Sequence, residues 1–526
     1  MKLQIYDTTL RDGAQQEGIS FSIEDKLNIV NKLDKLGISF IEGGYPGSNS
    51  KDAEFFIRVK NLNLEDSIVV AFGSTRHSHC NVNEDTQLKA LLNAGTEIVT
   101  IVGKSWDKQV IKVLETTLTE NLNMITDTIE YLRANGLRVF FDAEHFFDGY
   151  KANPEYALET ISAAGKAGAE CIIPCDTNGG ALSEEVANII RAVKQTTSIP
   201  IGIHAHNDAE LAVANSLAAV QAGVSQVQGT INGYGERCGN ANLCSIIPNL
   251  KIKMGIDCVS NEQLGSLSNI SHYVSELANL PHVNTLPYVG PEAFLHKAGL
   301  HVSALMKCKD SYQHIDPKLV GNHQRVIISE LSGKSNILYK AKERDLPIPD
   351  NKEIGKILSN IKVLESQGFQ YSSAEASFDL LLHRAQAEYI PPFELIDLMV
   401  IIEKHRRQPR IKNSKELLSE AIIKVKVGDR IEHTAAEGDG PINALDQALR
   451  KALMQFYPDL TSVELTDFKV RILDEAAGTA STIRVLIESS DGQEHWKTVG
   501  SSSNLIEACW LALSDSIEYW LLKQKS

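Results

Sequence analysis

The sequence predicts a (β/α)8 TIM barrel followed by a helical linker region and a duplicated α+β domain. Three observations carry this expectation. Short β-branched runs alternate with amphipathic helical stretches eight times over about 255 residues, the count and length of such a barrel. Most of the strand-like runs end in polar residues, where a barrel carries its chemistry. The last segment, roughly 115 residues, repeats a strand–strand–helix scheme, so it forms a separate small unit.

In chain order, strands are expected at 3–7, 40–43, 68–72, 98–102, 139–142, 171–174, 200–204 and 226–230. Amphipathic helices are expected at 22–36, 120–135, 154–167 and 183–196. Several close on glycine before the next strand, as in Leu36-Gly37, Asn135-Gly136 and Ala222-Gly223, the pattern of a left-handed C-cap. A doubly wound open sheet is the runner-up, but no dinucleotide fingerprint follows any strand. The barrel is assigned 1–265, a mainly helical linker 266–412, and the duplicated domain 413–526. Pro391-Pro392 and the basic run from Lys404 to Arg410 mark the second boundary. Beyond it, 421–427 alternates as a strand, turns at Gly428-Asp429, and Asn443-x-x-Asp446 opens a helix. The scheme recurs at 483–488, Asp491-Gly492, 496–499 and Asn504-x-x-Glu507. A duplicated unit of this kind is suited to dimerisation or to binding a small effector.

Bulk composition narrows the function. The 526 residues are too many for one core. Lys plus Arg number 52 against 67 Asp plus Glu, and the net charge of −15 argues against nucleic acid or an anionic membrane as partner. The eight cysteines form no secreted-type framework, and Cys171 with Cys175 lacks a second pair at zinc-site spacing, so reduced, mostly buried thiols are expected. The first residues already read as a strand, and no apolar run approaches the ~20 residues of a membrane span. A cytoplasmic protein is expected.

The chemistry collects around His204-Ala205-His206. At a strand end, positions i and i+2 share a face, so both imidazoles can reach one metal ion. An incidental pair in a polar loop is the alternative, and barrel order decides against it. Strand 8 lies between strands 7 and 1, so His204 and His206, Asn240 after strand 8, and Asp12 after strand 1 become neighbours. One carboxylate, two imidazoles and one amide oxygen leave open positions on Mg²⁺, Mn²⁺ or Zn²⁺, which the ligand set does not rank. Other polar strand ends are Glu42-Gly43-Gly44, Gly73-Ser74-Thr75-Arg76, Asp142-Ala143-Glu144-His145 and Cys175-Asp176-Thr177-Asn178. In the linker, the segments around His301 and Tyr312, taken alone, read as surface loops.

Three motifs in order resemble the signatures of the 2-isopropylmalate, homocitrate and citramalate synthases. They are Asp7-Thr8-Thr9-Leu10-Arg11-Asp12-Gly13-x-Gln15, His204-x-His206-Asn207-Asp208 and Gly233-x-Gly235-Glu236-Arg237-x-Gly239-Asn240. The resemblance runs the whole length, and the duplicated tail is similar to the leucine- or isoleucine-sensing domain of that family. Within it, 40–49 and 140–150 look like the long citramalate synthase group. The resemblance implies an acyltransferase that condenses acetyl-CoA with a 2-oxo acid and hydrolyses the thioester. With pyruvate the product is (R)-citramalate, on a route to isoleucine. It also implies a divalent metal, a homodimer and isoleucine as feedback effector.

By the same resemblance Arg11 stabilises the developing alkoxide and Thr177 binds the substrate carboxylate. Glu144 is a candidate base for the acetyl methyl, while His301 and Tyr312 match catalytic residues that reach the site from a neighbouring subunit. Arg76, after strand 3, is placed to hold a distal carboxylate, as a homocitrate synthase acting on 2-oxoglutarate requires. A 2-isopropylmalate synthase acting on 2-oxoisovalerate is the other alternative within the family. A carbon–carbon lyase resembling 3-hydroxy-3-methylglutaryl-CoA lyase, using Cys238, and a ligand sensor that keeps only the barrel shell stand outside it.

Overall fold

The computed structural model describes residues 3–344, 351–386, 388–404, 417–474, 478 and 480–524. They divide into two compact units, one of residues 1–294 with 315–323, the other of 295–314 with 324–526. The first therefore extends beyond the expected limit at 265.

Eight parallel strands close the barrel of the first unit. They are β1 (Gln4–Asp7), β2 (Phe40–Gly44), β3 (Ile68–Ser74), β4 (Ile98–Lys104), β5 (Arg138–Glu144), β6 (Cys171–Asp176), β7 (Gly202–Ala205) and β8 (Gln226–Gly229). Closure is made by β8 against β1, with Gln4 opposite Gln226 and Asp7 opposite Gly229. The helices begin and end on local signals. Ser22 caps Ile23–Leu36 in a reciprocal pair with Asp25, and Gly37 ends it at φ 82°, a left-handed conformation a Cβ would strain. Among the described residues no helix is long and apolar enough to cross a membrane.

Strand alternation builds the barrel interior in layers. Tyr6, Phe40, Val70, Ile98, Phe140, Cys171, Ile173 and Cys175 form a buried apolar plug. One inward step along several strands brings charge or polarity: Phe40 leads to Glu42, Phe140 to Asp142, Gly202 to His204 and Gln226 to Gln228. All four of these polar residues are buried. The Tyr6 hydroxyl joins the two regimes, donating to Glu42 Oε2 at 2.6 Å beside Thr100 Oγ1 at 2.8 Å. The outer face of the strands packs on helices through Ile5, Ile41, Ala71, Val99, Phe141, Ile172, Ile203 and Val227.

The second unit opens with a short parallel pair, β9 (Leu295–His296) and β10 (Arg325–Val326). Two antiparallel three-stranded sheets follow: β11 (Glu394–Lys404), β12 (Leu417–Val427) and β13 (Arg430–Gly438), then β14 (Glu464–Ile472), β15 (Ile483–Ser490) and β16 (His495–Ser502). Helix Pro441–Leu453 follows the first sheet and Leu505–Lys523 the second. Each repeat is thus three strands and a helix, one strand more than the sequence pattern indicates. β11 also places the start of the first repeat before residue 413. The expected basic linker lies, after Lys404, outside the described residues.

Candidate metal centre

Asp12, His204 and His206 meet at the mouth of the barrel, all buried, with their ligand atoms within 4.8 Å of one another. Asp12 Oδ2 is 3.3 Å from His204 Nε2 and 3.6 Å from His206 Nε2. Ligands of one ion, each bonded at about 2.1 Å, stand roughly 3–3.5 Å apart, close to the spacing of Asp12 Oδ2 from each imidazole. Asp12 is held by the turn after β1, where Arg11 and Gly13 N–H groups both donate to Thr8 O. Burial disfavours its charge, yet Arg11 and the two imidazoles hold its carboxyl well below the usual carboxylate range.

Asn240 comes from the loop after β8, which doubles back over β7. Asn207 N–H donates to Gly239 O at 2.8 Å, Ala241 N–H donates to Ala205 O at 3.0 Å, and Asn240 forms an antiparallel bridge with His206. The reversal demands glycine. Gly239 has φ 87°, and a Cβ there would lie 2.1 Å from Gly233 O; a Cβ on Gly235 would lie 2.2 Å from Asn240 Nδ2. The Asn240 amide donates to Tyr234 O at 3.1 Å, while its Oδ1 is buried with no hydrogen-bond partner. A buried amide oxygen without a donor is unfavourable unless something else occupies its lone pairs. Beside a carboxylate and two imidazoles, a divalent cation fits that need.

Arg11 lies on the other side of Asp12, its Nη1 3.8 Å from Asp12 Oδ1. Its Nε donates to the fully buried Glu42 at 2.5 Å, and its guanidinium carbon sits 3.8 Å over the Phe72 ring. Burial opposes its charge, but Glu42 and Asp12 outweigh that and keep it protonated. Thr177 Oγ1 accepts the His145 N–H at 2.8 Å, which leaves its own hydrogen free to donate elsewhere. Glu144 forms an ion pair with Lys104. Arg237 ties the rim loops together, bonding Asp208 Oδ1 at 2.7 Å and Thr177 O at 2.9 Å.

One expectation changes. Arg76 is not a free cation at the rim: its side chain is buried, with Nη1 2.7 Å from Glu120 and Nε 2.9 Å from Asp127, both on helix Leu118–Ala134. The chain after β3 turns outward, and the guanidinium is spent on holding that helix. His301 and Tyr312 belong to the second unit, where their rings stack at 4.2 Å. As expected of thiols, Cys171 and Cys175 are free and buried. Sequence reasoning missed Lys104 and Gln228. The signal for Gln228 was present: Gln226-x-Gln228 puts two amides on the inward face of a barrel strand, where apolar residues are the rule.

Comparison with known proteins gives matches along the whole chain. A family model described as HMGL-like matches residues 2–274, one described as homocitrate synthase post-HMGL domain-like matches 288–368, and the LeuA allosteric (dimerisation) domain matches 374–521. An (R)-citramalate synthase of Geobacter sulfurreducens is 53% identical over 524 residues, covering 99% of this chain and 98% of its own. One of Aquifex aeolicus is 51% identical over 526 residues, covering 100% and 98%. A 2-isopropylmalate synthase of Methanocaldococcus jannaschii is 30% identical over 533 residues, covering 100% and 96%.

Proposed function

The chain belongs to the (R)-citramalate synthase family, and from that premise we propose that it condenses acetyl-CoA with pyruvate and hydrolyses the thioester, releasing (R)-citramalate and CoA. The observation that carries the reading at the site is the unpartnered Asn240 Oδ1 beside Asp12, His204 and His206. A divalent ion held by these four residues, Mg²⁺, Mn²⁺ or Zn²⁺, would supply Lewis-acid polarisation of the keto oxygen.

The chain's own residues perform the rest. Arg11, fixed by Glu42 and Phe72, offers a rigid positive charge where negative charge develops on the keto oxygen. Because it is already oriented and desolvated, it needs no rearrangement as that charge appears. Thr177 has an O–H free to bind the pyruvate carboxylate. Glu144, steadied by Lys104, is the base proposed to take the acetyl methyl proton. His301 and Tyr312 complete the catalytic set proposed from the family resemblance. The commitment of Arg76 to Glu120 and Asp127 weighs against 2-oxoglutarate, because it leaves that residue unavailable for a second carboxylate. The duplicated tail serves as the isoleucine sensor and the dimer contact of a cytoplasmic homodimer, with citramalate committed to isoleucine.

The test is CoA release from acetyl-CoA with pyruvate, 2-oxobutanoate, 2-oxoisovalerate and 2-oxoglutarate in turn. Pyruvate is expected to give the highest kcat/KM. Preference for 2-oxoisovalerate or 2-oxoglutarate would transfer the chain to another branch, and no release with any acid would remove the synthase reading. Inhibition by isoleucine, lost on truncation beyond about residue 415, tests the sensor; inhibition by leucine instead would refute it.

A further inference from the structure

A chain of three buried side chains runs from the barrel interior to the metal centre. Gln228 on β8 accepts from His204 Nδ1 through Oε1 at 2.8 Å. On its other side, Gln228 Nε2 donates to Asp142 Oδ1 on β5 at 3.1 Å. Asp142 is 3% exposed, Gln228 0% and His204 5%, so all three are shielded from bulk solvent. Asp142 and Gln228 stand 86 residues apart in sequence and meet only across the closed barrel.

The geometry gives the chain its direction. The Gln228 amide turns its NH₂ to Asp142 Oδ1, which accepts. Its oxygen then faces His204, and that contact is favourable only when the imidazole hydrogen sits on Nδ1. The Nε2 lone pair is left for a cation shared with Asp12, whose Oδ2 lies 3.3 Å away. His206 has no such support, its Nδ1 being buried without a partner.

We propose that Asp142 and Gln228 are positioning residues for the metal centre, the carboxylate orienting the amide and the amide fixing His204 with Nε2 free to ligate. This rests on the metal reading above. Neither residue need touch substrate.

The test is Mn²⁺ titration of the full chain after removal of bound metal, followed by electron paramagnetic resonance of free Mn²⁺, with thermal unfolding of each metal-free variant alongside. Asp142→Asn keeps the shape but lets two amides pair either way round, and Gln228→Met removes both bonds. Each is expected to weaken Mn²⁺ binding about 10–100-fold, the usual loss when a ligand's hydrogen-bond partner is removed. The double variant D142N/Q228E moves the carboxylate next to His204, where it can accept from Nδ1–H directly and from the new amide. It is expected to restore affinity to within about threefold of the unsubstituted chain. Unchanged affinity in both single variants, even with a lowered melting temperature, would overturn the proposal, as would a double variant no better than D142N. If the unsubstituted chain binds no Mn²⁺, the metal centre itself falls, and this role falls with it.

Discussion

The barrel mouth and the Arg384 cluster of the second unit both bury charge, but they leave it in opposite conditions. In the second unit Arg384 bonds Asp515 Oδ1 at 2.7 Å and Glu518 at 2.9 and 2.7 Å. Ser377 donates to the other oxygen of Asp515 at 2.7 Å, and Tyr389 donates to Glu518. All four carboxylate oxygens have donors, and helix Glu375–Arg384 is thereby joined to helix Leu505–Lys523. At the barrel mouth, Asn240 Oδ1 is just as deeply placed and has no partner. A closed set of bonds is architecture. A set with open valences, held by glycine turns that no other residue tolerates, is prepared for something that arrives.

The contrast can be broken from either side. The largest effect is expected from Asp12→Asn, which keeps the shape and removes the ligand charge. Steady-state assays should show turnover down roughly a thousandfold, since Lewis-acid polarisation is worth several kcal/mol, with the unfolding temperature little changed. A loss of activity that merely tracked unfolding would place Asp12 on the architectural side. Next in size is Arg384→Met, which strands two buried carboxylates. Breaking such a pair costs 3–5 kcal/mol in fully buried cases, and about 3 kcal/mol is expected here because Arg384 is partly exposed. Hydrogen exchange in helix Glu375–Arg384 should quicken accordingly, while Mn²⁺ affinity at the barrel stays the same.

The smallest effect sharpens the comparison by pH. Burial, with Glu42 adding, raises Asp7 from 3.8 to about 7. The folded barrel therefore holds a proton that the unfolded chain has already released, so this contribution to stability is full below about pH 4 and is lost as the pH rises through about 7. Asp7→Asn is expected to flatten the fall in the metal-free barrel's melting temperature between pH 5 and pH 8. A slope as steep as before would show that Asp7 does not carry it.

Much of this was legible in the chain. The barrel strands announce themselves because most are short apolar runs closed by a polar end, and helix limits because Ser22 and Gly37 carry the capping chemistry themselves. The first strand of each C-terminal repeat was not legible, for a shared reason. The pairing of β11 slips between Leu395 and Asp397, and that of β14 between Leu465 and Asp467. A bulge adds a residue and breaks the two-residue alternation by which a strand is recognised. That both repeats carry the irregularity at the matching place is itself a mark of the duplication.

The sequence by itself determined which side chains crown the barrel. Asp12, His204, His206 and Asn240 are fixed by their distance from strand ends and by the order in which eight strands must close. Only the tertiary structure decided how those residues are aimed. It turned Arg76 outward to Glu120 and Asp127, left Asn240 Oδ1 open, and linked Asp142 through Gln228 to His204. Each of these depends on side-chain direction and on contacts between distant strands, and a one-dimensional pattern holds neither.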